Sequence, residues 1–196
     1  LLRNGVKYGV AGFINADTFF TQKMGLEKGE KYYVKTKHDF VRAARNEIKY
    51  SEMKFINMKI QQMYGPDDNP SKFLPFIIKN LLSDADISLT PGGQKRDFVF
   101  VEDAARAFVS VIDHYNFLRR YEEFNVGTAK LYSIRQMVEA LKKITKSCSV
   151  LKWGVLPYRK NEIMYPRVKT IKNKKIKWMA KHTLNQGLVK TVGFYK

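Results

Sequence analysis

Cysteine is nearly missing from these 196 residues: Cys148 stands alone. That excludes an intramolecular disulfide and a structural zinc site built on several thiolates, and it fits a reducing compartment. Long apolar runs are missing as well. The most apolar stretch, Phe73 to Leu82, is interrupted by Pro75, Lys79 and Asn80, far short of the roughly 20 apolar residues of a membrane span. A cytoplasmic protein with no membrane span is expected. His38, His114 and His182 lie too far apart for a ligand set, and no metal is expected. The opening Leu1-Leu2-Arg3-Asn4-Gly5 has no initiator Met and no basic-then-apolar order, so it reads as a chain starting mid-element and not as a signal peptide.

Acidic residues are scarce in one place above all. From Ile163 to Lys196 there is no Asp or Glu, while nine Lys and Arg contribute half of the formal charge of +18. Such a charge raises nucleic acid or an anionic surface as a partner. Trp153, Trp178 and Tyr165 near lysines would suit stacking on single strands, but no nucleic-acid fold signature accompanies them. A solvated lysine-rich surface is the other reading, and no nucleic-acid partner is expected.

What is present is a globular composition, 44% apolar, long enough to bury a core. Strand and helix periodicities alternate, which predicts an α/β fold. Ala11 to Ala16 reads as a buried strand, Lys31 to Asn46 as a helix, and Phe55 to Gln61 as the next strand. The punctuated turn Tyr64-Gly65-Pro66-Asp67-Asp68-Asn69-Pro70 follows, with Asp67 and Asp68 as turn-formers. Then come a helix over Ser71 to Leu82, short strands at Ile87 to Leu89 and Phe98 to Val101, and a helix from Asp103 to Tyr115 with Asp103 as N-cap. Phe124 to Val126 predicts a strand. Ser133 and Gln136 form a capping-box pattern ahead of Ile134, Met137, Val138, Leu141 and Ile144 at helical spacing. Beyond Cys148 the pattern predicts a strand, a Pro-containing loop and two short basic helices around Trp178 and Leu184.

One spacing carries chemistry. Tyr33 and Lys37 stand at i, i+4, which puts phenol and ammonium on one helix face. A cation there favours the phenolate and suits the Tyr to acid/base work. Alone, the pair is equally a chance feature of a Tyr- and Lys-rich surface helix. Its context is an ordered series: Phe13-Ile14-Asn15-Ala16-Asp17-Thr18 upstream, then Asn57 to Pro66, then Gly93-Gln94-Lys95-Arg96-Asp97-Phe98 through Asp103, then Phe124-Asn125-Val126-Gly127, and Pro157-Tyr158-Arg159-Lys160-Asn161-Glu162.

That succession, from about residue 2 to the C-terminus, resembles the extended short-chain dehydrogenase/reductases of the NAD-dependent epimerase/dehydratase group, which act on nucleotide-linked sugars. The Pro-Tyr-Arg-x-x-Glu form is most similar to members making deoxysugars on CDP or dTDP carriers. The resemblance implies a Rossmann-type parallel sheet over residues 1–70, rejoined by 98–127, and a nucleotide-sugar lobe over most of 71–196. It implies hydride transfer at the sugar C4 with NAD or NADP. Tyr33 would be the acid/base, Lys37 the holder of the nicotinamide ribose, and Thr18 the hydroxyl completing a proton path. Arg96 and Arg159 would grip the diphosphate, a task suited to a planar fork of donors. Gln62 falls where the family has a substrate-side Asn. A homodimer through the Tyr33 helix is implied as well. Without the resemblance each arginine reads as a surface ion-pair partner, Arg96 beside Asp97 especially.

One family feature is not found. A Rossmann domain seats the cofactor pyrophosphate on a glycine-rich strand-turn-helix, and the nearest glycine pair here, Pro91-Gly92-Gly93, precedes a strand. The chain is therefore expected to be the C-terminal part of such an enzyme, inactive by itself. A catalytically silent remnant is the alternative.

Overall fold

The computed structural model describes residues 1–19, 28–166 and 173–196, with side chains from residue 32 in the second stretch. Along the chain come α1 (Leu2–Lys7), β1 (Gly12–Thr18), α2 (Lys28–Glu47), β2 (Lys54–Ile60), β3 (Gln62–Tyr64), α3 (Phe73–Leu82), β4 (Ile87–Leu89), β5 (Lys95–Arg96), β6 (Phe98–Phe100), α4 (Val101–Asp113), β7 (Tyr121–Val126), β8 (Tyr132–Ser133), α5 (Ile134–Thr145), β9 (Leu151–Trp153) and α6 (Leu184–Tyr195). This is the expected α/β fold, Rossmann-type in its parallel sheet.

That sheet has the order β1-β2-β7, all parallel. Its alternation explains why both faces are covered. Ile56, Met58, Phe124 and Val126 pack under Ala104, Ala107 and Val111 of α4. On the opposite face Phe13 and Phe55 stack with each other, Phe55 stacks with Tyr121, and Phe40 of α2 meets both phenylalanines. Among the described residues β1 pairs only with β2, so its other edge has no strand.

A second core joins the two-stranded parallel pairs β3-β6 and β4-β9 to α3, α5 and α6. The capping box at Ser133 and Gln136 is formed in both directions, and Met137, Val138 and Leu141 are buried as their spacing required. Gly187 lets α6 approach this core: a Cβ there would lie 2.1 Å from the Tyr64 hydroxyl oxygen and 2.8 Å from its Cζ. The Tyr64 ring is buried and donates to Leu184 O at 3.1 Å, so it cannot swing aside. Gly187→Ala should therefore lower stability by about 1–3 kcal/mol through overpacking, outweighing the roughly 1 kcal/mol that Ala gains in helix propensity. A chemical denaturation series showing the Ala variant equal to or more stable than wild type would contradict this.

Two expectations need correcting. Asp103 is not an N-cap: Phe100 holds that position in extended backbone, and Asp103 lies in the first turn of α4. There it is fully buried and accepts from Lys181 N at 3.1 Å, His182 N at 2.9 Å and Arg106, and pairs with His182 Nδ1 at 2.9 Å. The reason is tertiary. The carboxylate serves the chain entering α6, which needs it more than the α4 terminus does. The second correction concerns the C-terminal region, where, among the described residues, a 3-10 turn, Lys174–Ile176, and the 12-residue α6 stand in place of two short basic helices. Its lysines are partly engaged, Lys175 with Glu122 and Lys190 with Glu102 at 2.8 Å, which fits the solvated-surface reading of the charge.

Candidate active site

The parallel sheet sets the first cluster. Thr18, the last residue of β1, is buried. Lys37 reaches from α2 to donate to Ala16 O at 2.7 Å, and its ammonium lies 5.9 Å from the centroid of the Tyr33 ring. Helical spacing thus places Tyr33 and Lys37 together, and Lys37 ties α2 to β1 two residues before Thr18. Tyr33 is 49% exposed, so its phenol is open to a ligand.

Beneath them lies a polar network that local patterns did not single out. Asn15 donates to Asn57 Oδ1 at 2.8 Å, Asn57 donates to Asp17 Oδ2 at 2.9 Å, and Lys59 pairs with Glu123 at 2.6 Å. Desolvation works to raise the Glu123 pKa, but Lys59, Tyr121 and Asn57 outweigh it and hold the carboxyl below its usual range. The signal was available in Asn15, Asp17, Asn57 and Lys59 at alternating strand positions. Four polar groups on one face of a buried sheet must satisfy one another.

The second cluster lines a cavity of about 630 Å³ between β3, α3, β5 and the 156–163 segment, within the range of small-molecule sites. Gln62, Arg96 and Arg159 all line it. Arg96 pairs with Glu162 at 2.6 Å, not with the adjacent Asp97, and its Nη1 donates to Ile163 O at 2.6 Å. Asp97 faces away and accepts from Thr128 N, Thr128 Oγ1 and Ala129 N. Burial still pushes the Asp97 pKa up against those bonds. Three Arg96 N–H bonds, to Lys95 O, Ile163 O and Glu162, are made among the described residues, out of five that a guanidinium can make. Gly93 N donates to the Tyr158 hydroxyl at 2.9 Å and Lys95 N to Met164 O at 2.8 Å, which ties the motif bearing Arg159 onto β5.

The two clusters are neighbours without being one lining. Thr18 is in register with Ile60, and Gln62 follows two residues on at the start of β3. The glycine pair is a turn, as its context suggested. Gly92 has φ +76°, and a Cβ on it would lie 2.7 Å from Trp153 Cζ3. Among the described residues no group of three or more His, Cys, Asp or Glu could hold a metal, and no helix is long and apolar enough to cross a membrane.

Comparison with known proteins decides the family. The model of the NAD dependent epimerase/dehydratase family matches residues 10–127. The chain belongs to that family. Among relatives in the epimerase/dehydratase family, the CDP-abequose synthase of Salmonella typhimurium is 29% identical over 96% of this chain and 64% of its own length. The UDP-glucose 4-epimerase of Erwinia amylovora is 23% identical over 85% of this chain and 50% of its own. Of solved structures, the Thermotoga maritima UDP-glucose 4-epimerase with UDP-glucose aligns over the whole chain and 66% of its own length at TM-score 0.84 and 22% identity. The Thermus thermophilus UDP-glucose 4-epimerase in complex with NAD aligns at TM-score 0.82 and 20% identity. The chain thus spans under two-thirds of the length of the CDP-abequose synthases that it matches.

Proposed function

We propose that this chain is the catalytic and substrate-binding part of an NAD(P)-dependent enzyme that works at C4 of a nucleoside-diphosphate sugar. The observation that carries the proposal is the cavity in which Gln62, Arg96 and Arg159 converge, in a fold where Lys37 of α2, beside Tyr33, reaches the end of the strand that closes on Thr18. The epimerase, dehydratase and CDP-abequose synthase relatives support the substrate class.

The residues present fit one end of a dinucleotide. Lys37 and Tyr33 offer an ammionium and a phenol side by side at the C-terminal end of a parallel strand, where α/β folds take their ligands, and these two would hold the nicotinamide ribose. The glycine turn at Gly92 and Gly93 is filled by Trp153 and Tyr158 and does not fit a pyrophosphate, which we assign to a segment outside these 196 residues. The nicotinamide, when bound, supplies hydride chemistry.

The proton steps fall to this chain. Tyr33 takes a proton from the C4 hydroxyl, or returns it to the keto oxygen. The Lys37 charge favours the phenolate that does so, and Thr18 bonds the same oxygen. Arg96 and Arg159 hold the diphosphate and Gln62 bonds the sugar. Tyr32 of α2, 62% exposed, supports pairing of two copies through that helix.

Arg159→Ala should weaken binding of CDP-glucose, UDP-glucose or dTDP-glucose, whichever the chain binds best, by about 30-fold or more while leaving the melting temperature within a few degrees. Unchanged affinity in a folded variant would remove Arg159 from the site.

A further inference from the structure

Residues 15 to 18 close β1 in a way that the sheet itself does not require. A parallel strand packed under a helix is ordinarily apolar, and Phe13 and Phe55 follow that rule beneath Phe40 of α2. Further along the same face stand Asn15, Asp17 and Asn57, which are 9%, 4% and 0% exposed. They form one chain of hydrogen bonds. Asn15 Nδ2 donates to Asn57 Oδ1 at 2.8 Å, and Asn57 Nδ2 donates to Asp17 Oδ2 at 2.9 Å. The other Asp17 oxygen accepts from Thr18 N at 2.8 Å. The chain thus crosses two strands and ends on the residue proposed to bond the C4 oxygen of the sugar.

That last bond is not one that the β1-β2 ladder would make. Lys54 N donates to Ala11 O, so along this evenly spaced parallel pair the odd-numbered residues of β1 bond to β2, and the N–H of Thr18 is not directed there. The Asp17 carboxylate supplies its acceptor. Ala16 is held separately, from α2, by the Lys37 ammonium at 2.7 Å. An isolated buried carboxylate is costly, and here two short N–H bonds offset that cost. Asn15 has its own part: by donating to Asn57 Oδ1 it fixes the Asn57 amide so that the NH2 group, and not the oxygen, faces Asp17.

We propose that Asp17 is a positioning residue that orients Thr18, with Asn57 and Asn15 as its anchor. The inference rests on the reading of Thr18 as the hydroxyl that meets the sugar, and adds to it the group that holds that hydroxyl in place. Fixing the peptide N–H of Thr18 fixes the direction in which its side chain leaves the strand end. A misplacement of about 1 Å costs on the order of 10²-fold in rate. Asp17 does not line the cavity that holds Gln62, Arg96 and Arg159, so its effect belongs to turnover and not to binding of the nucleotide sugar.

The test is a double-mutant cycle on the complete enzyme, assayed with the best substrate among CDP-glucose, UDP-glucose and dTDP-glucose. Asp17→Asn is isosteric, can keep the bond from Asn57, and turns an NH2 group toward Thr18 N. It should lower kcat about 10- to 100-fold with KM within about threefold of wild type. In a Thr18→Ala background the same change should lower kcat by no more than about threefold, because the group it positions is gone. A merely structural role would give the same loss in both backgrounds. That result, or near-normal turnover of Asp17→Asn, overturns the proposal while the reading of Thr18 stands. Should Asp17→Asn not fold, Asn57→Ser, which removes the anchor and leaves residues 17 and 18 unchanged, carries the test through the same two comparisons. Wild-type turnover in Thr18→Ala overturns the reading of Thr18 and the proposal with it, and turnover of none of the three sugars by the wild-type enzyme overturns the C4 reading itself.

Discussion

Tyr33→Phe, introduced into the complete enzyme, should lower turnover about 10²- to 10⁴-fold, the usual range for a lost general acid/base, while KM for the nucleotide sugar changes by no more than a few-fold. The argument is local. The Phe keeps the ring beside the Lys37 ammonium, 5.9 Å from the centroid in the wild type, and removes only the oxygen proposed to move the proton. Arg96 and Arg159, proposed to hold the diphosphate, line a cavity that Tyr33 does not line, so ground-state binding should be untouched. A fall in kcat and kcat/KM together, with KM nearly constant, is the signature of an interaction made in the transition state. Near-normal turnover would remove Tyr33 from the mechanism.

The largest stability effect is expected at Asp103. This carboxylate joins the start of α4 to the entry of α6: it accepts from two backbone N–H groups and Arg106 and pairs with the His182 ring. Trp178 Nε1 donates to the backbone O of the same residue at 3.0 Å. Asp103→Ala leaves those donors without an acceptor and should cost about 3–5 kcal/mol, a fall in melting temperature of roughly 6–20 °C. Burial by itself would raise the pKa of this carboxyl, but the bonds from His182 and Lys181 and the Arg106 charge prevail and hold it below the ordinary carboxylate range. A depressed carboxyl stabilises the fold fully above its unfolded value, near 3.9, and loses that contribution as the pH falls through its lower folded value. The stability advantage of wild type over Asp103→Asn should therefore be constant at neutral pH and shrink below about pH 4. A gap that stays constant into strong acid would contradict the assignment.

Local features of the sequence were sufficient wherever the physics is local. The capping box at Ser133 needs residues three apart, and the Tyr33–Lys37 face needs residues four apart. Both are formed as expected. Strand existence was equally legible, Ile87–Leu89 to the residue. Long-range partnerships were not. Arg96 was set against its neighbour Asp97, yet its carboxylate is Glu162, 66 residues away, because β5 and the 157–162 segment meet only in the folded lobe. Asp103 was read as a cap for its own helix and instead serves the backbone of His182, 79 residues on.

The most direct measurement of the central claim is a pair of titrations on the 196-residue chain, one with a nucleoside-diphosphate glucose and one with NAD. The chain is assigned the diphosphate-sugar cavity and the nicotinamide-ribose residues, and not the pyrophosphate seat of the cofactor. Saturable binding of CDP-glucose, UDP-glucose or dTDP-glucose that is lost in Arg159→Ala, with no detectable binding of NAD, is the expected result. Tight binding of NAD together with no binding of any nucleotide sugar would contradict it.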